Sequence, residues 1–281
     1  MALTNSPQPE LVEGRTMLIP ATLTEAACAV LNASKPKEKV ALSHRFAVAW
    51  REGAIKELGT MRPPDRPARP ERPELKAPRA MKRRRSGGSL ANRIALLHAI
   101  AHIELNAIDL AWDLIVRFAA PDLPRQFFDD WIEVADQEAS HHALVAKRLG
   151  ALGASYGDLP AHDGLWEAAQ ATAHDLLARL AIVPLVLEAR GLDVTPDMIA
   201  RMRRFGDEES AQVLQVIYDE EITHVACGQR WFRWECTRRG LEPVAAYRDL
   251  VARYYGGALK PPFNHAARAA AGFEPAFYDN P

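Results

Sequence analysis

The residues best suited to chemistry in this sequence form a six-residue pattern, Asp-x-Glu-x-[Ser/Thr]-His, that occurs twice. The first copy is Asp136, Glu138, Ser140 and His141, and the second is Asp219, Glu221, Thr223 and His224. Each contains Glu-x-x-His, and positions i and i+3 of a helix share a face. A carboxylate and an imidazole side by side can hold one metal ion together. Each copy also has a glutamate upstream in a matching context. Glu104 lies in Ile103-Glu104-Leu105-Asn106-Ala107-Ile108-Asp109, and Glu188 lies in Leu187-Glu188-Ala189-Arg190-Gly191-Leu192-Asp193. Glu104 precedes Glu138 by 34 residues, and Glu188 precedes Glu221 by 33. The pattern is a duplicated helix pair with Glu on the first helix and Glu-x-x-His on the second. Four glutamates and two histidines so arranged are the ligand set of a carboxylate-bridged two-metal centre in a four-helix bundle.

One Glu-x-x-His arises by accident on any charged helix face, so the duplication carries the argument. The surroundings add to it. Glu104 sits between Ile103 and Leu105, and Glu188 follows Leu185-Val186-Leu187. Buried carboxylates are costly unless paired or metal-bound, and two divalent cations would neutralise four of them. The expected assignment puts Glu104, Glu138 and His141 on one metal and Glu188, Glu221 and His224 on the other, with Glu138 and Glu221 as bridges. Asp136, Asp219, Asp109 and Asp193 either accept the second ring N–H of a ligating histidine or form helix salt bridges. His98 and His102 read as core or surface residues. His142 projects about 100° away from His141. Cys227 and Tyr218 fall near the second motif, where packing is the simpler role for each.

The elements that must position these residues are helices. Thr22 or Thr24 is expected to cap a helix through about Asn32, and a second should cover about 36–58. Residues 1–60 thus form a helical extension. Over 61–88, Pro63, Pro64, Pro67, Pro70, Pro73 and Pro78 forbid regular helix. Arg62, Arg66, Arg69, Arg72, Lys76 and Arg79 alternate with them, followed by Lys82-Arg83-Arg84-Arg85. This stretch reads as an extended connector, one form of which is a strap across the bundle with arginines on carboxylates. The alternative is an arm for tRNA or another anionic ligand. Residues 89–255 are expected to hold the bundle and an extra C-terminal helix. Its helices are expected at about 89–118, 125–149, 165–190 with a bend at Pro184, and 207–239. A short helix should start at Thr195-Pro196, and a further one should span about 243–255. The tail 256–281 reads as irregular.

A net charge of −1 argues against a generally nucleic-acid-coating surface. Three cysteines without metal-type spacing argue against a disulfide scaffold and fit a reducing cytoplasm. The N-terminus lacks a basic start followed by an apolar core, so no secretory signal is expected. No apolar run reaches the roughly 18 residues needed to span a bilayer.

At these residues the chain resembles the ferritin-like superfamily of di-iron carboxylate proteins. His-Ile-Glu-Leu-Asn-Ala-Ile-Asp, Leu-Glu-Ala-Arg-Gly-Leu-Asp-Val-Thr-Pro and Tyr-Asp-Glu-Glu-Ile-Thr-His-Val look like a bacterial ferritin-like family of unknown function, similar in outline to the di-iron tRNA hydroxylase. The resemblance implies an all-α, ferritin-like fold and two iron ions, with manganese or a mixed pair as substitutes. It implies no substrate. One departure stands out: many di-iron oxygenases have Asp immediately before the ligand Glu of Glu-x-x-His, where this chain has Gln137 and Glu220.

Three functions follow as expectations. The first is an oxidoreductase that activates O₂ to oxidise or hydroxylate a substrate, using an unspecified electron donor. The second is iron handling without an organic substrate. The third is a non-catalytic, metal-stabilised interaction module.

Overall fold

The computed structural model describes residues 18–77, 80–81, 87–256 and 259–279. Within them the fold is all-α. The only β features among the described residues are isolated bridges joining Thr22 to Glu57 and Leu75 to Ala161.

The N-terminal part holds α1 (Leu23–Asn32) and α2 (Pro36–Arg51). Thr22 caps α1 in a capping box with Glu25. The second helix stops at Arg51 rather than near Leu58, because Gly53 adopts the left-handed conformation (φ 72°) that reverses the chain. The described part of the connector, 61–77, is tied to the helices by its arginines. Arg66 pairs with Asp163, and Arg69 donates to Asn106 (2.7 Å) and lies 3.0 Å from the buried Asp109. Lys39, also buried, meets the same aspartate and donates to Val30 O at the end of α1 (2.9 Å). The basic run 82–85 lies outside the described residues.

The central part contains α3 (Leu90–Arg117), α4 (Arg125–Ala151), α5 (Gly164–Ala171), α6 (Leu176–Ile182), a π-helical segment (Val183–Glu188), α7 (Ala189–Arg204) and α8 (Glu208–Arg239). α3 packs along α4, α7 along α8, and α4 against α8. Local sequence sets several ends. Ser89 caps α3, Asp207 caps α8, and Gly240 closes α8 at φ 67°. α3 is long and apolar enough to cross a membrane, but 72% of its most apolar window is buried against the rest of the protein.

Two expectations fail here. The helix foreseen over 165–190 is interrupted between α5 and α6. No new helix starts at Thr195, because α7 runs straight through Pro196. Proline removes the N–H that would bond to the carbonyl four residues back. That carbonyl, Leu192 O, accepts instead from Asn264 Nδ2 (3.1 Å).

The chain ends with α9 (Pro243–Tyr254), α10 (His265–Ala270) and α11 (Pro275–Tyr278). The tail is therefore not irregular. Phe273 and Phe277 are buried against Tyr247, and Tyr278 is buried against Phe273. The guanidinium of Arg268 is buried, donates to both Asp193 oxygens (2.8 and 2.7 Å), and lies 4.4 Å from the Tyr278 ring centre. Removing one member of a buried pair strands the other charge. Arg268→Ala is accordingly expected to cost about 3–5 kcal/mol, read as a lowered urea midpoint. A midpoint within error of the wild type would show that the pair contributes nothing.

Candidate metal centre

Each of the six predicted residues arrives from a segment already described. Glu104 comes from α3, Glu138 and His141 from α4, Glu188 from the last position of the π-helical segment, and Glu221 and His224 from α8. Glu138, His141 and His224 are completely buried, and Glu104 nearly so. Ligand atoms of Glu104, Glu138, His141 and Glu221 all lie within 4.8 Å of one another. Glu138 stands between the two imidazoles, with one oxygen 3.4 Å from His141 Nδ1 and the other 3.0 Å from His224 Nδ1. His141 Nδ1 is also 3.5 Å from Glu104, and His224 Nδ1 is 3.6 Å from Glu221. The ring centres are 5.6 Å apart.

These atoms face one another without hydrogen bonds. Both Glu138 oxygens, one oxygen each of Glu104, Glu188 and Glu221, and both Nδ1 atoms are buried with no hydrogen-bond partner. Native interiors leave few such atoms, and seven of them on the six predicted residues call for a further group. Carboxylate oxygens with imidazole nitrogens are the donor set of a divalent metal, so the residues fit one.

The electrostatics of the metal-free cluster point the same way. Burial drives the Glu104 carboxyl up to about 8, against the pull of His141. Burial and the neighbouring charges of Glu221 and Glu138 push Glu188 up as well. Burial works against charge on Glu138 too, but the two histidines outweigh it and hold that carboxyl well below its ordinary value. Burial also works against charged histidines. Contacts with Glu104 and Glu138 nevertheless lift His141 to about 12, and Glu138 and Glu221 lift His224 to about 10. The cluster holds protons where a metal would supply positive charge.

The outer ring nitrogens show what the sequence reading missed. His141 Nε2 is 2.8 Å from Glu220, and His224 Nε2 is 2.8 Å from Gln137 Oε1. Each histidine is oriented by the residue that precedes the glutamate of the other motif. The signal lay in the departure at Gln137 and Glu220, but the crossing depends on which faces of α4 and α8 meet. The four aspartates are committed elsewhere: Asp136 to His44 and Arg51, Asp219 to Gln215, Asp109 to Lys39 and Arg69, and Asp193 to Arg268. His98 and His102 are buried and hold the 152–163 loop, through Gly157 N (3.0 Å) and Tyr156 Oη (2.8 Å). His142 is bonded to Ala101 O (2.9 Å). Tyr218 accepts from Asn264, and Cys227 is a buried thiol. Partners to ligating histidines are typically worth about 10–100-fold in metal affinity. Glu220→Gln should weaken metal binding by about that factor in a competition titration, and unchanged affinity would deny Glu220 any influence.

The π-helical segment that delivers Glu188 passes close to α8. A Cβ on Gly228 would lie 2.4 Å from Pro184 Cβ, so only glycine allows this approach. Gly228→Ala should overpack the contact by about 1–3 kcal/mol and displace Glu188. The checks are thermal denaturation and metal content, and no change in either would exclude this account.

With this geometry in view, comparison with known proteins places the chain. Residues 32–279 match the family described as protein of unknown function DUF455. The chain belongs to the DUF455 family. An uncharacterized protein of Haemophilus influenzae is 44% identical over 184 residues, a stretch that spans 64% of each chain. No solved structure matches. The DUF455 match takes in all six predicted residues, both outer partners and the described tail.

Proposed function

We propose that this DUF455 protein is a di-iron carboxylate oxidoreductase on a ferritin-like four-helix bundle, the four helices being α3, α4, the π segment with α7, and α8. The seven buried, unpartnered ligand atoms carry the reading. Glu104 and His141 would complete one iron site and Glu188 and His224 the other, with Glu138 and Glu221 bridging. Manganese or a mixed pair would fit the same donors. When bound, two ferrous ions in such a set supply the electrons with which O₂ is reduced and a substrate oxidised.

The protein's own groups do the rest. Glu220 and Gln137 fix the ring orientation of His141 and His224, and the buried helices exclude water from the inner nitrogens. Glu104, Glu188 and the histidines surrender protons as metal enters. Three free, buried cysteines suit a reducing cytoplasm. Arg66 and Arg69 are committed to carboxylates, so a tRNA or anionic ligand would draw on the other basic residues of 61–88. An iron-handling role uses the same six residues. A cavity of about 180 Å³, into which Glu104, Glu188 and Glu221 face, favours an organic substrate.

The deciding experiment is metal content and the optical spectrum of anaerobically iron-loaded protein before and after O₂. About two irons per chain, with a new near-ultraviolet absorption on oxygenation, is the expected result. No stoichiometric metal after reconstitution would sink the reading and leave a helical interaction module.

A further inference from the structure

The cavity beside the cluster says what kind of molecule could reach it. The inference rests on the reading above only where it calls that molecule a substrate. Apolar side chains form most of the wall, among them Ile103 and Ala107 of α3, Leu187 of the π segment, Met198 of α7 and Leu214 of α8. The charged groups on the wall are Glu104, Glu188 and Glu221, which belong to the cluster, and Arg190, the one cation that could receive an anion. Arg190 is already committed: it donates to Lys260 O (2.8 Å) and Pro262 O (3.1 Å) and contacts Asp193 (3.3 Å). The histidines do not line the cavity. The cluster therefore presents its carboxylate side to this space and its imidazoles to Glu220 and Gln137.

Gly191 supplies the second observation. It lies within α7 on the cavity wall, where glycine costs about 1 kcal/mol relative to alanine. No backbone strain requires it, because its φ is ordinary for a helix. No neighbour requires it either, since nothing stands within 4 Å of where its Cβ would be. Gly228 on α8 is the contrast, because there a close neighbour does demand glycine. What Gly191 preserves is open volume.

We propose that this cavity binds an uncharged, hydrocarbon-rich small molecule, and that Gly191 is the residue that keeps room for it. An apolar protein cavity of ~150 Å³ accommodates benzene, so the present one suits a substituted benzene or an alkyl chain of similar bulk. In the di-iron reading this is the substrate class, and phosphate-bearing compounds cannot enter beyond an uncharged arm.

The test uses the full-length, metal-loaded protein, with toluene as the probe and benzoate as its anionic counterpart of similar size. Toluene should raise the melting temperature in a saturable manner and benzoate should not. Gly191→Leu should abolish the toluene shift, and Gly191→Ala should reduce it less. Should Gly191→Leu fail to fold, Ile103→Trp at the half-exposed rim should block the same shift. A saturable toluene shift that survives both blocking substitutions, no shift at all, or equal binding of benzoate would overturn the proposal. Metal content measured on the same samples separates the two readings. Full metal without a toluene response overturns the cavity proposal alone. A toluene response without metal supports the cavity and removes the di-iron reading.

Discussion

Glu138→Ala is expected to abolish metal loading at both positions, a larger effect than any other single substitution in the cluster. Glu138 is the one carboxylate with an oxygen near each inner imidazole nitrogen, 3.4 Å from His141 and 3.0 Å from His224. Its loss removes a donor from both halves at once. Outer partners of ligating histidines are worth about 10–100-fold in affinity, so a shared inner donor should be worth more than ~100-fold. Glu104→Ala, by contrast, should leave one half able to load. Elemental analysis after reconstitution, with far-ultraviolet circular dichroism to establish folding, reads both outcomes. Full metal content in a folded Glu138→Ala protein would refute the proposed bridging role.

Metal removal should reverse how stability depends on pH. Without metal, folded Glu104 keeps its proton up to about 8, His224 to about 10 and His141 to about 12. An unfolded chain releases the carboxyl proton near its ordinary value of about 4.3 and the imidazole protons near about 6.5. Above neutrality the folded state binds more protons than the unfolded state, so its stability falls as pH rises. Burial holds His98, His102 and His142 below their ordinary values, which opposes this trend only in the acid range, where an unfolded imidazole takes up protons. The metal-free protein should therefore lose stability as pH rises through and above neutrality. Metal displaces the protons on Glu104, His141 and His224 and binds more tightly as pH rises. The gap in melting temperature between loaded and chelator-treated protein should widen steadily from pH 6.5 to 9. Parallel curves would mean that these groups are not the ones displaced.

The sequence revealed the parts of this molecule whose causes are local. Of the six residues that the duplicated motifs name, the fold gathers ligand atoms of Glu104, Glu138, His141 and Glu221 within 4.8 Å, with His224 Nδ1 3.0 Å from Glu138, and Ser89, Asp207 and Gly240 mark helix ends through their own side chains or backbone. What it concealed depends on partners distant in the chain. Pro196 looks like a helix start until Asn264 is seen to satisfy the carbonyl it leaves free. Pro184 reads as a simple bend, but it lies in a π-helical turn that meets α8 closely at Gly228. The tail is rich in alanine and glycine and shows no strong period. Arg268 nonetheless reaches back to Asp193, which residue types alone do not disclose. Gln137 and Glu220 were visible as an oddity, and only the packing of α4 on α8 shows that they exchange partners.

The tail's grip on α7 also sets the tempo of the molecule. Arg190 and Asp193, both held by residues between Lys260 and Arg268, flank Gly191 on the cavity wall. Swinging that helix outward would mean pulling Arg268 from a buried ion pair and Asn264 from Leu192 O, so rigid-body opening is a rare, slow event. The rim residues Ile103 and Met198 are only partly covered and belong to no such clamp. Their rotamer changes take picoseconds to nanoseconds. For the proposed ligand, side-chain motion at Ile103 and Met198 would then be the route in and out, not movement of α7.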